Sequence, residues 1–151
     1  MIKYACSIMD KFTTNSNWFQ STALLSARLW ISMVFFLSGL TKIKSWDTTI
    51  MLFTDEYNVP VLSPEIAAYI ATAAELSLPV MLVLGLMTPV ASLALFVMTV
   101  VIELFVYPGT TDHYHWMLLL GIIITHGGGK FSVDFCLVRK FSRHSSGKDA
   151  V

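Results

Sequence analysis

The sequence predicts an all-α integral membrane protein, a four-helix bundle with cytoplasmic N- and C-termini and an interfacial segment at each end. Three observations predict it. Hydrophobic residues make up 55% of the chain and charged ones 13%, about half the ~25% usual for a soluble domain. Long stretches are almost free of charge. Between Phe12 and Thr41 the only charged side chain is Arg28, between Ile66 and Thr111 only Glu75 and Glu103, and between His113 and Gly129 there is none. Third, the charge-poor stretches recur at lengths that suit a bilayer core of ~30 Å, which needs about 20 helical residues. A soluble protein of this size could not leave such gaps in its surface charge.

The same figures exclude other classes. Ten basic and ten acidic residues leave no net charge, so no field draws the chain to nucleic acid. Two cysteines, Cys6 and Cys136, are too few for a disulfide scaffold. Disorder and a collagen-like fibre are ruled out by the apolar content.

The elements follow in order within a single membrane domain, residues 1–151. Tail 1–20 is no secretory signal, because the apolar run after Lys3 breaks at Asp10 and Lys11. Ala5, Ile8, Met9 and Phe12 recur at helical spacing and suit a short interfacial helix. Span one covers 21–42 and is interrupted by Arg28. Span two covers 66–87 and span three 90–107, with a tight turn at Thr88-Pro89, since a residue before proline resists the helical region. Span four is placed at 111–129. Its apolar core, Tyr114 to His126, is short, but the longer stretch contains a single acidic group, Asp112. Tail 130–151 mixes aromatic and basic residues and reads as a second interfacial anchor. Four spans put both termini on one side, and eight of the ten basic residues fall there, which makes that side cytoplasmic.

The polar residues inside the spans carry the functional argument. A charge at the bilayer centre costs at least ~2.5 kcal/mol, so such groups usually have a task. At 100° per residue, Arg28, Ser32, Gly39 and Lys42 share one side of span one, within about 80°. Ser92, Thr99 and Glu103 share a side of span three, and Ala68, Ala71, Thr72, Glu75 and Pro79 share a side of span two. These faces imply a seam holding the charges. Depths of about 10, 16 and 20 Å for Arg28, Glu75 and Glu103 suggest that Arg28 pairs with Glu75, with Glu103 nearby or reaching toward Lys42. Two carboxylates in such a seam could handle protons; alternatively, the groups only pair and hold the bundle together.

Other features are weaker. His113 and His115, in TDHYHW, are candidates for a metal or proton-sensing site, although H-x-H does not share a face on a helix. Gly127, Gly128 and Gly129 stop a helix, and beside Lys130 they could form a concavity for an anion or lipid head group.

Several residues in order resemble the DoxX family of small four-helix membrane proteins. They are Arg28, Phe36, Gly39, Leu40 and Lys42; Glu75 and Leu84 to Thr88; and the glycine-rich exit with Lys130, Ser132 and Asp134. Pro79, Pro89 and Glu103 depart from residues common there. The resemblance implies a four-helix bundle and a link to quinone- or thiol-based redox systems, often as a partner subunit. It supplies no catalytic residue.

Three readings remain open. One is an accessory redox subunit in the cell membrane, a bacterial inner membrane, whose seam of Arg28, Ser32, Lys42, Glu75, Thr99 and Glu103 serves a ligand or a proton. Its electron carrier would be a diffusible quinone or a partner's group, as no haem ligand pair, flavin motif or Cys-x-x-Cys is present. The second is a small proton- or ion-coupled transporter, and the third a non-catalytic scaffold. The partners implied are the lipid bilayer, a membrane redox protein or further copies of the chain.

Overall fold

The computed structural model describes the backbone of residues 2–57 and 62–146, and the side chains of residues 17–57 and 62–140. Among the described residues there are six helices and no strand: α1 Ile2–Lys44, α2 Trp46–Asp55, α3 Pro64–Leu84, α4 Thr88–Phe105, α5 Thr111–His126 and α6 Val133–Ser146. Three segments are long and apolar enough to cross a membrane: Asn17–Lys44, Pro64–Leu84 and Thr88–Phe105. α5 has 16 residues, short of the ~20 a full crossing takes.

The ends of these segments differ from the sequence expectation for local reasons. Span two was expected to run to Met87, but α3 stops at Leu84. Gly85 takes the left-handed conformation (φ 68°), and its N–H bonds Leu82 O while that of Leu86 bonds Met81 O. Those two bonds are a Schellman stop. α4 then begins at Thr88 rather than Val90, with Pro89 in its first turn, where a missing N–H costs nothing. Span four was expected to reach Gly129; the helix ends at His126, and Gly127 follows at φ 70°. The expected interfacial helix near Ala5–Phe12 is continuous with span one in α1, and its side chains lie outside the described residues.

α1, α3, α4 and α5 pack in a ring, each touching the next, with α2 laid across α1 and α3. Their inward stripes hold the small and polar residues. On α4, Thr88, Ala91, Ser92, Leu95, Thr99 and Glu103 are all buried, a spacing of three or four that follows the helical repeat. Large apolar chains such as Leu29, Met33, Ile70, Val97 and Leu118 face outward. This inversion suits hydrocarbon outside, where helices associate by close packing rather than by hiding apolar surface. Gly39 permits that closeness: a Cβ there would sit 3.0 Å from Leu76 and 3.1 Å from Glu75 Cβ. An apolar cluster of Leu24, Ile31, Phe35, Leu82, Leu95, Leu120 and Ile123 fills the middle.

The ring has two unlike ends. At the glycine end, Ser21, the α3–α4 turn and residues 127–134 come together. At the other end lie α2 and the α4–α5 turn, joined where the Tyr57 and Tyr107 hydroxyls meet at 3.2 Å.

Candidate functional site

The polar side chains of the interior form three separate groups. Arg28 does not meet Glu75, and this corrects the pairing expected from the sequence. Glu75 packs against Gly39 across the α1–α3 contact, and Arg28 lies eleven residues earlier, about 16 Å along α1. Lys42 takes its place, with Nζ donating to both Glu75 oxygens at 2.8 and 2.7 Å and to Ser38 Oγ at 2.9 Å. Helical side chains lean toward the N-terminus, so Lys42 reaches back one turn to the level of Ser38. Pro79 withholds the N–H that would have bonded the Glu75 carbonyl, leaving that oxygen without its helical partner beside the ion pair.

Arg28 is fully buried at the glycine end, where Nη2 donates to Phe131 O at 2.6 Å. Gly85 and Gly128 give the guanidinium its room, since a Cβ on Gly85 would collide with Arg28 Nη1 and Ser132. Arg28 Nε and Nη1 and Ser32 Oγ have no hydrogen-bond partner among the described residues. Nearby, Asp134 accepts from the Met87 and Thr88 N–H groups, both at 2.8 Å. A carboxylate thereby covers the positive start of α4, while the Asp134 N–H bonds Gly85 O. Burial alone would raise the Asp134 carboxyl, but the Thr88 and Met87 donors and the Arg28 charge hold it below the usual carboxylate range.

The third group is at the α4–α5 turn. Glu103 Oε1 accepts from Gly109 N–H at 2.7 Å and from the Tyr114 hydroxyl at 2.9 Å, and His113 Nδ1 lies 2.7 Å from Oε2. Glu103 therefore does not reach toward Lys42. His113 is buried and stacks on Trp116 at 5.1 Å between ring centroids. Glu103 and Tyr114 border a cavity of about 470 Å³, otherwise lined by Val100, Leu104, Pro108, Gly109 and Met117.

The remaining expected residues fall as follows. Thr99 is buried on α4 and bonds Leu95 O at 2.8 Å. Lys130 Nζ lies 4.7 Å from the centre of the Trp18 ring, and its N–H bonds Ser21 Oγ, so the ammonium is engaged outside the run of Gly127, Gly128 and Gly129. His113 is a hydrogen-bond partner of Glu103, and His115 is exposed. No group of three His, Cys, Asp or Glu able to hold a metal ion occurs among the described residues. Sequence reasoning named Asp134 only within the glycine-rich exit, with no role as a cap of α4, and it missed Tyr114. A short turn between Glu103 and His113 was the signal for the second group, because antiparallel neighbours across a hairpin face each other.

No match is found among curated proteins or solved structures. The DoxX family model matches residues 23–108. The match takes in Arg28, Lys42, Glu75 and Glu103 but stops short of His113, Tyr114 and Asp134. Covering more than half of the chain, it identifies the protein as a member of the DoxX family of membrane proteins.

Proposed function

We propose that the protein is a multi-pass accessory subunit of a quinone- or thiol-linked redox system in a bacterial inner membrane. In this reading α1, α3, α4 and α5 form a four-helix transmembrane bundle, with the fourth crossing completed by residues flanking α5. The glycine end, near exposed Arg139 and Lys140, faces the cytoplasm. The α2 end, near Asp47, Asp55, Glu56 and Asp112, faces away from it.

One observation carries the redox reading. The cavity beside Glu103 joins an apolar lining to a few convergent polar groups, which is the usual make-up of a small-molecule site. Glu103, with His113 hydrogen-bonded behind it, sets a carboxylate at the cavity wall where a proton could be handed on. The buried groups elsewhere support a narrower role for the rest of the seam. Lys42 and Glu75 satisfy each other and read as structural, while Arg28 has one backbone acceptor and keeps Nε and Nη1 unpaired among the described residues. Electrons come from, or go to, a diffusible ligand or a partner subunit.

The test is extraction of protein purified in mild detergent, wild type beside Glu103→Gln, with mass spectrometry of what is released. A quinone in stoichiometric amount from the wild type and depleted from the variant is expected. A folded wild type that releases none overturns the reading. A non-catalytic scaffold would then be favoured, since the mutual pairing of Lys42 with Glu75 and of Glu103 with His113 needs no ligand.

A further inference from the structure

The polar wall of the cavity has a one-sided chemistry. Its identified donors are already committed: Gly109 N–H and Tyr114 O–H point at Glu103 Oε1, and His113 Nδ1 takes Oε2. What is left for an incoming group is acceptor capacity, the spare lone pairs of the Glu103 carboxylate and of the Tyr114 oxygen. A ligand carbonyl placed there would meet no free hydrogen and would face lone pairs. A ligand hydroxyl would find an acceptor at once.

The rest of the cavity fixes the body of the ligand. Val100, Leu104, Pro108 and Met117 offer apolar surface, and about 470 Å³ holds a ring with a short chain. Leu104 and Tyr114 are largely exposed on the outer surface of the helices, so the cavity meets the bilayer side, where a lipid-soluble molecule is already concentrated.

We infer that this cavity selects an uncharged lipophilic ligand whose head donates a hydrogen bond, a phenol or a hydroquinone, over the corresponding carbonyl compound. The inference rests on the redox reading above and sharpens it: of a quinone pair, the reduced diol is the form held. Only binding is involved, and no bond is made or broken.

The experiment uses full-length protein in nanodiscs without oxygen, titrated with decylubiquinol and with decylubiquinone while tryptophan fluorescence is followed. The diol should bind on the order of tenfold more tightly, the effect of one hydrogen bond to a charged acceptor. Glu103→Gln replaces the charged acceptor by a neutral amide and should erase that preference, chiefly by weakening the diol. Should it not fold, Tyr114→Phe, which removes one acceptor oxygen but frees the Glu103 lone pair that its O–H held, should keep the preference for the diol, and its loss would overturn the selection. Met117→Phe, which fills the cavity, should weaken both ligands. Equal binding of the two forms by the wild type, or a preference for the quinone, overturns the selection while leaving the redox reading in place. Failure of both to bind overturns the redox reading with it. Binding untouched by Met117→Phe shows that the site is elsewhere and overturns the inference.

Discussion

At the glycine end a buried arginine is gripped by backbone: a carbonyl from Phe131 and two glycines pressed against the guanidinium. At the α2 end a buried glutamate is held by one amide and by the side chains of His113 and Tyr114, and it borders a cavity. Both ends bury charge within an apolar ring. At the first, glycines close in on the guanidinium, whereas the second keeps an ionisable group beside open space. Buried charge in a membrane bundle is therefore no single signal, and its surroundings decide whether it braces the fold or serves chemistry.

Four substitutions sharpen that contrast. The largest effect is expected from Gly85→Ala, which adds a left-handed alanine to a collision with Arg28 and Ser132. About 4 kcal/mol should be lost, read as a large drop in melting temperature in detergent. A mild effect would mean that the glycine end can yield. Lys42→Met leaves Glu75 buried without its partner and should cost about 3 kcal/mol. The double variant Lys42→Met/Glu75→Leu should recover most of it; failure to recover would give the pair a role beyond holding α1 to α3.

Asp134→Asn weakens the covering of the α4 N-terminus and should cost about 1 kcal/mol. Its pH dependence has a definite sign. The Asp134 carboxyl is held below the ordinary aspartate value of 3.8, so its stabilisation is present above that value and lost as pH falls through the folded one. Wild type should lose more stability than the variant over that acid range in denaturation curves. The smallest effect on melting is expected from Glu103→Gln, whose remaining oxygen can still accept from Gly109 and Tyr114 while its amide N–H faces His113 Nδ1. Ligand retention should fall even though the fold persists. A variant that melts far below wild type would place Glu103 with Arg28 among the braces.

The inward stripes were legible in the sequence because periodicity fixes which residues share a face. Ser32, Thr72, Glu75, Thr99 and Glu103 could be placed on inward faces without coordinates, and all are buried. Their partners were not legible. Depth along an axis treats side chains as points, and it missed that Lys42 leans back toward Ser38. Nor does periodicity reveal what a chain does after its last span. Asp134 looked like part of a polar tail, yet residues 127–134 fold back onto the α3–α4 turn. The family model, which matches only to residue 108, does not reach His113, and the resemblance at the glycine-rich exit named Asp134 without a role.

The hydrogen bond from Arg28 to Phe131 joins residues 103 positions apart, and that separation sets the order of biosynthesis. At about 5–20 residues per second, Arg28 is made on the order of 5–20 seconds before its acceptor exists. During that interval the first helix carries an uncompensated cation and is a poor guest in the bilayer. Until Phe131 is made, the guanidinium lacks the backbone acceptor that it holds in the folded protein, so the first helix can take its final packing only after the last loop has been translated.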